Sequence, residues 1–375
     1  MTLPPLSLYI HLPWCMRKCP YCDFNSHAVG DMDEARYLQA LLRDLDSELD
    51  FVQHRPLQSI FIGGGTPSLF AAGSIDRLLA HCAKALPFAA DIEITLEANP
   101  GTFEQEKFAA FRAVGVNRLS IGVQSFHADH LQALGRIHDD AEAHRAIDMA
   151  QQAGFDNINI DLMYALPGQD IAQACSDVST ACSKAVQHIS HYQLTIEPNT
   201  LFHKYPPQQP GSEQMWQMQT ACQQILAQHG YRQYEVSAYA QQGRRSRHNL
   251  NYWRFGDYLG IGAGAHGKLT TAQGIVRRWK KRQPEAYMRS ALRGEALSGS
   301  AHIAREERVF EFLLNALRLR EGVPLQTFTA HTGLAVDVLQ QACAAIDPAL
   351  LQLEPRIRTT EYGYRFIDDI LQRLM

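Results

Sequence analysis

The stretch His11-Leu-Pro-Trp-Cys15-Met-Arg-Lys-Cys19-Pro-Tyr21-Cys22-Asp-Phe24 puts three cysteines into eight residues, spaced C-x3-C-x2-C. No fourth cysteine follows closely; the next is Cys82. Three thiolates can hold three corners of a cubic four-iron cluster and leave the fourth iron open to a substrate or cofactor. Zinc is the competing reading. It asks for four closed ligands, and His11 or His27 would have to supply the last. Pro20, Tyr21 and Phe24 give an apolar shell that suits a cluster better.

Working outward, the cysteine loop follows a short apolar run, Leu6 to Leu12, that reads as a strand. The chain then alternates helical and strand patterns. Asp33 to Phe51, Ile75 to Leu86, Glu104 to Val114, Asp140 to Gln152 and Ala172 to Val186 predict helices. Ser59 to Ile62, Asp91 to Leu96, Asn117 to Val123, Asn157 to Leu162 and His191 to Ile196 predict strands between them. Repetition of β then α implies a parallel sheet with helices outside it. Roughly six such units suggest an α/β fold built on a full or partial (β/α) barrel, with polar and glycine-rich residues placed just after the strands. A loop at Tyr205 to Gly211, a helix over Glu213 to His229 and a strand near Gln233 to Tyr239 follow. The expected organisation is a barrel domain over 1–240, a connecting segment over 241–300, and a small C-terminal α+β domain over 301–375. That last part should hold helices over Glu306 to Arg318 and around Leu334 to Ala345, then two short strands around a turn that together run from Leu351 to Ile367.

Composition narrows the function classes. Of 375 residues, 35 are Lys or Arg and 39 are Asp or Glu, a formal charge of −4 that gives no global reason to expect nucleic-acid binding. No apolar run is long enough to span a bilayer. The start lacks the basic end and long apolar stretch of a secretory signal, which predicts a cytoplasmic protein. Eight cysteines, three of them clustered, fit a reducing compartment and a metal site rather than a disulfide framework.

Further motifs fall at predicted strand ends. Gly63-Gly64-Gly65-Thr66-Pro67-Ser68 lets backbone approach a ligand closely, although a plain turn explains it equally well. Glu97, Gln124 and Asp161 each sit near the carboxyl end of a strand, and Arg136 follows Leu134-Gly135. All could face one cavity. The cysteine triplet after a first strand and the glycine string after a second resemble the radical S-adenosylmethionine superfamily. The full set of strings resembles the branch of it that holds anaerobic coproporphyrinogen III dehydrogenases and HemW-type haem chaperones. The resemblance implies that Cys15, Cys19 and Cys22 ligate a [4Fe-4S] cluster and that the open iron binds S-adenosylmethionine. It assigns Tyr9, Gly64 and Glu97 to that cofactor, and Gly65, Thr66, Gln124, Arg136 and Asp161 to a neighbouring subsite. Tyr21 completes the cofactor-contacting set through the shell of the cluster.

Two departures favour the chaperones. Phe24 stands where the dehydrogenases carry a further cysteine, and the extension that precedes their cluster is missing here. His248-Asn249-Leu-Asn-Tyr252-Trp253 matches the H-N-x-x-Y-W string associated with the chaperones. Imidazole is an ordinary axial ligand of haem iron. Tyr252 and Trp253 add flat apolar surface, and Arg244, Arg245 and Arg247 could pair with propionates. Equally, His248 could cap a loop and the aromatics fill an interdomain core. The expectation is a haem chaperone that binds haem, cluster and S-adenosylmethionine and passes haem to an acceptor protein, with peripheral docking at the inner face of a membrane compatible with that role and a homodimer implied by resemblance alone. The runner-up is oxygen-independent oxidative decarboxylation of coproporphyrinogen III. No residue is assigned a catalytic role. The basic run Arg277-Arg-Trp-Lys-Lys-Arg282 reads as a solvated surface.

Overall fold

Alternating apolar runs and amphipathic stretches build one large sheet with helices laid against it. The computed structural model describes residues 2–30, 32–101 and 105–374. Strands β1 (Leu6–Leu12), β2 (Leu57–Gly64), β3 (Phe88–Ala98), β4 (Arg118–Gln124), β5 (Ile158–Tyr164) and β6 (His188–Gln193) lie parallel in sequence order. The hairpin of β7 (Arg232–Glu235) and β8 (Ala238–Ala240) continues from β6. On the other side β9 (Asp257–Ile261) pairs parallel with β1, and β10 (His266–Thr271), β11 (Gly274–Lys280) and β12 (Leu297–His302) follow antiparallel. The sheet has 12 strands in the order β12-β11-β10-β9-β1-β2-β3-β4-β5-β6-β8-β7, and its ends do not pair, so the barrel is partial.

Helices between the parallel strands form where the 3.6-residue pattern meets a cap. Helix α1 (Glu34–Asp46) starts at Asp33, whose side chain accepts the Arg36 N–H, and buries Tyr37, Leu38, Leu41 and Leu45. Helix α2 (Ala72–Ala85) buries Ile75, Leu78, Leu79 and Cys82. Helix α3 covers Gln105–Ala113; Glu104, where the sequence pattern begins it, lies outside the described residues. Helices α4 (Asp140–Gln152) and α5 (Ile171–Ser183) each open on a reciprocal capping box, Asp139 with Glu142 and Asp170 with Gln173.

Three elements depart from the sequence pattern. Gln233 to Tyr239 is a hairpin rather than one strand, turning at Val236 and Ser237. The basic run around Arg277 is strand β11, and its last residue, Lys280, is only 2% exposed. Its ammonium meets Asp44 at 2.6 Å and also Glu48, both on or just past α1. Beyond Thr359 the chain forms a 3-10 turn (Gly363–Phe366) and a helix (Ile367–Gln372) instead of continuing as strand.

A second apolar cluster unites Tyr234, Phe255, Ile275, Phe312, Phe328, Leu339 and Ile357. It underlies the smaller C-terminal domain, whose three-stranded sheet joins Val323–Pro324, Arg356–Thr359 and Leu351–Gln352. Among the described residues no helix is long and apolar enough to cross a membrane.

Candidate cofactor cavity

The carboxyl ends of β2 to β6 and the cysteine loop enclose a cavity of about 410 Å³. Cys15, Cys19, Tyr21, Cys22, Gly64, Gly65, Glu97, Gln124, Arg136 and Asp161 all line it, so residues spread over nearly 150 positions converge. Thr66 lies alongside, lining a smaller recess with Cys19, Asn99 and Arg136. This convergence is what parallel strands with their loops at one end produce.

The cysteine loop is fixed from both halves of the chain. The Gly65 and Thr66 N–H groups donate to the carbonyls of Leu12 and Trp14. A Cβ on Gly65 would sit 2.4 Å from the Trp14 oxygen, so only glycine lets these two backbones meet. The Asn25 amide donates to the Ala263 and Arg282 carbonyls, both at 2.8 Å. His11 joins Tyr9 to this loop, its Nδ1 2.9 Å from the Tyr9 hydroxyl and its Nε2 2.9 Å from the Asn25 carbonyl.

Three partly exposed thiols are a soft donor set. Among the described residues, no group of three His, Cys, Asp or Glu side chains closes on a single ion. The thiols suit a polynuclear cluster whose corners lie apart. Burial raises the thiols of Cys15 and Cys22; hydrogen bonding to Thr66 opposes this at Cys15, and to Ser26 at Cys22. The Arg136 guanidinium points Nη1 at the Cys19 sulfur from 3.6 Å, and its Nη2 donates to Asn99 Oδ1 at 2.7 Å and the Gly122 carbonyl at 2.6 Å. Its Nε is buried without a partner. A cation held this way offsets the negative charge that a thiolate cluster carries.

Opposite the thiols stand two carboxyls. Glu97 Oε2 accepts the Gly64 N–H at 3.0 Å. Burial, then the charge of Asp161, pushes the Glu97 carboxyl up to about 8. Burial also raises Asp161, against hydrogen bonds from Asn159 at 2.9 Å and Ser120 at 3.2 Å. Gln124 holds a left-handed backbone (φ +70°) and accepts the Tyr192 hydroxyl at 2.9 Å. A non-glycine residue kept in that conformation at a strand end marks a position set by function more than by local preference.

Tyr9 and His248 lie elsewhere. They neighbour each other beneath the cavity floor, ring centroids 6.5 Å apart, with Phe61 stacked on His248 at 5.0 Å. His248 is 2% exposed. Its Nδ1 is 3.0 Å from Ser59 Oγ and its Nε2 is 2.9 Å from the Tyr252 hydroxyl. Burial, and then Arg118, pulls this imidazole down to about 3. Both ring nitrogens are engaged, so an iron could reach His248 only after one of those bonds broke. Sequence reasoning missed Asn99, Ser120 and Tyr192. Asn99 carried a signal, two residues past Glu97 at a strand end; Tyr192 gave none, because its pairing with Gln124 depends on two strands meeting.

Residues 9–177 match the family described as the Radical SAM superfamily, and residues 303–366 the HemN C-terminal domain. The chain is 48% identical to "Heme chaperone HemW" of Haemophilus influenzae and 46% identical to the protein of the same name from Escherichia coli, each alignment covering 99% of this chain and 98% of the relative. It belongs to the HemW family. HemW sequences thus match both the cysteine loop and the C-terminal domain. Among solved structures, coproporphyrinogen III oxidase (HemN) from E. coli superposes with a TM-score of 0.84 over 99% of this chain and 90% of that one, at 21% identity, which shows a shared fold. Superfamily membership implies a [4Fe-4S] cluster and S-adenosylmethionine, and the cavity's donor set fits both.

Proposed function

We propose that this protein is a haem chaperone: it binds haem, carries a [4Fe-4S] cluster on Cys15, Cys19 and Cys22, binds S-adenosylmethionine in the cavity, and delivers haem to an acceptor protein. The observation carrying this reading is full-length similarity to proteins named for haem chaperoning, at 46% and 48% identity. Phe24, exposed at the position where the dehydrogenases have a further cysteine, weighs against the decarboxylase alternative. In the cavity, Gly64 and Glu97 would hold the cofactor's polar groups near the open iron. Gly65, Thr66, Gln124, Arg136 and Asp161 would line the adjacent subsite, with Tyr21 packed behind the cluster. Tyr9 would act from beneath, through His11. Haem would dock at the segment carrying Tyr252 and Trp253. The protein would work in the cytoplasm, with the acceptor at or near the membrane.

Anaerobically reconstituted protein tests the reading. The electron paramagnetic resonance signal of the reduced cluster should change on adding S-adenosylmethionine, haem should give a Soret band, and coproporphyrinogen III should not be consumed. Turnover to protoporphyrinogen would establish the enzyme instead.

Cofactor affinity should also depend on pH. Burial and the neighbouring Asp161 hold the proton on Glu97 up to about pH 8. A sulfonium cation favours the ionised carboxylate, so below that pH binding must release a proton. Affinity should therefore rise from pH 6.5 to 8, by at most roughly tenfold per pH unit, and level off above. Equilibrium dialysis with S-adenosylmethionine across this range measures it, and Glu97→Gln should flatten the profile.

A further inference from the structure

Of the three arginines just ahead of His248, two are taken up by acids of the barrel. Arg244 pairs with Asp156 at 3.5 Å and Arg247 with Asp91 at 2.7 Å. Arg245 differs. Its Nη1 donates to Glu321 Oε1 at 2.8 Å, and Arg254 Nη2 approaches the same oxygen at 3.6 Å. Arg356 fastens to the same turn, donating from Nε to the Glu321 carbonyl at 2.6 Å and from Nη2 to the Gly322 carbonyl at 2.7 Å. Two guanidiniums therefore share the Glu321 carboxylate while the third is held by the backbone of the same turn, and three cations with one carboxylate among them leave two positive charges. The cluster is open to solvent: the Arg245 and Arg254 side chains are 37% and 47% exposed. Burial, and the repulsion of Arg245 and Arg356, hold Arg254 below the ordinary arginine range despite Glu321.

Like charges crowded this way repel one another unless an anion joins them. The residues on either side of Arg254, Trp253 and Phe255, line a cavity of about 280 Å³ with Tyr252 and Tyr258, where Lys268, Arg277 and Asn315 supply the polar part of the wall. The Trp253 indole N–H is buried without a partner. A doubly charged oxyanion borne on a flat aromatic body matches both features, because guanidinium forks fit carboxylates and aromatic walls fit a ring face. We propose that Arg245, Arg254 and Arg356 anchor the two propionate carboxylates of haem. The proposal rests on the haem-binding reading above and names the site at which the porphyrin is oriented.

Iron-free porphyrins separate the two. Protoporphyrin IX and its dimethyl ester, which lacks both charges, are titrated into the full-length protein and followed by fluorescence. The wild type should bind the diacid at least roughly tenfold more tightly than the ester, as expected for charge-assisted bonds. The Arg245→Gln/Arg254→Gln/Arg356→Gln variant should bind both as weakly as the wild type binds the ester. Arg289→Gln, at an exposed arginine elsewhere, should match the wild type. Equal affinity of the wild type for diacid and ester would overturn the anchor and leave the haem reading standing. Failure of the wild type to bind haem or either porphyrin would overturn both. Phosphatidylglycerol vesicles are the remaining arm: if the triple variant loses vesicle binding but keeps its preference for the diacid, the cluster reads lipid headgroups and the anchor is wrong.

Discussion

Cys19→Ala should strip the protein of its cluster. Iron and acid-labile sulfide after anaerobic reconstitution should fall at least about tenfold, and the visible absorption of the cluster should vanish. The reason is the donor count. Three thiols face the cavity, and a cube held by two is open to solvent at two corners. The five remaining cysteines cannot step in, since none lines the cavity: Cys82, Cys182, Cys222 and Cys343 are buried in or at the ends of helices, Cys175 is half-buried on α5, and burial pushes the Cys82 thiol up to about 12. The fold should survive the change. Arg136 loses its sulfur contact but keeps Asn99 and the Gly122 carbonyl. Circular dichroism should therefore match the wild type while iron is lost. Undiminished iron in this variant would remove Cys19 from the ligand set.

Lys280→Ala should destabilise the fold by about 3–5 kcal/mol, read as a lowered denaturation midpoint at unchanged slope. The ammonium lies in the interior between Asp44, which is fully buried, and Glu48, which is 2% exposed. Asp44 also accepts the Tyr287 hydroxyl at 2.8 Å and the Gly262 N–H at 3.1 Å, and burial already raises its carboxyl. Removing the lysine leaves two acids buried, with Arg278 still facing Glu48. Asp44, already raised by burial and deprived of its cation, would respond by taking up a proton, so the loss should shrink as pH falls toward 5. Adding Asp44→Asn should recover part of the stability by removing one of the stranded charges. A loss below about 1 kcal/mol would mean that water reaches this pocket.

How much of this was legible in the sequence depended on the distance between partners. The parallel sheet was, because each βα unit carries its own periodicity: β1 and α4 have the bounds that their apolar spacing suggests. So was the cavity, since Glu97, Gln124 and Asp161 sit at strand ends and a parallel sheet gathers strand ends together. The fate of Lys280 was not. A run of Arg and Lys looks solvated until two acids some 230 residues earlier fold against it. The setting of His248 was hidden for a related reason. Its motif signals chemistry, but its partners, Ser59 on β2 and Glu93 on β3, become neighbours only when the sheet forms. Arg254 and Arg356 carried no signal, because they meet at Glu321 only when the second apolar core brings three distant segments together.

The clasp between Asn25 and the carbonyls of Ala263 and Arg282 sets a limit on dissection. Strand β9 lies along the free side of β1, so the polypeptide after residue 240 supplies both a wall and a buttress for the cysteine loop. A shortened version ending near the last helix of the parallel array would expose the flank of its first strand and leave that loop slack. Grafting experiments should therefore transplant residues through at least 302, and the front two thirds alone is a poor vehicle for the metal chemistry.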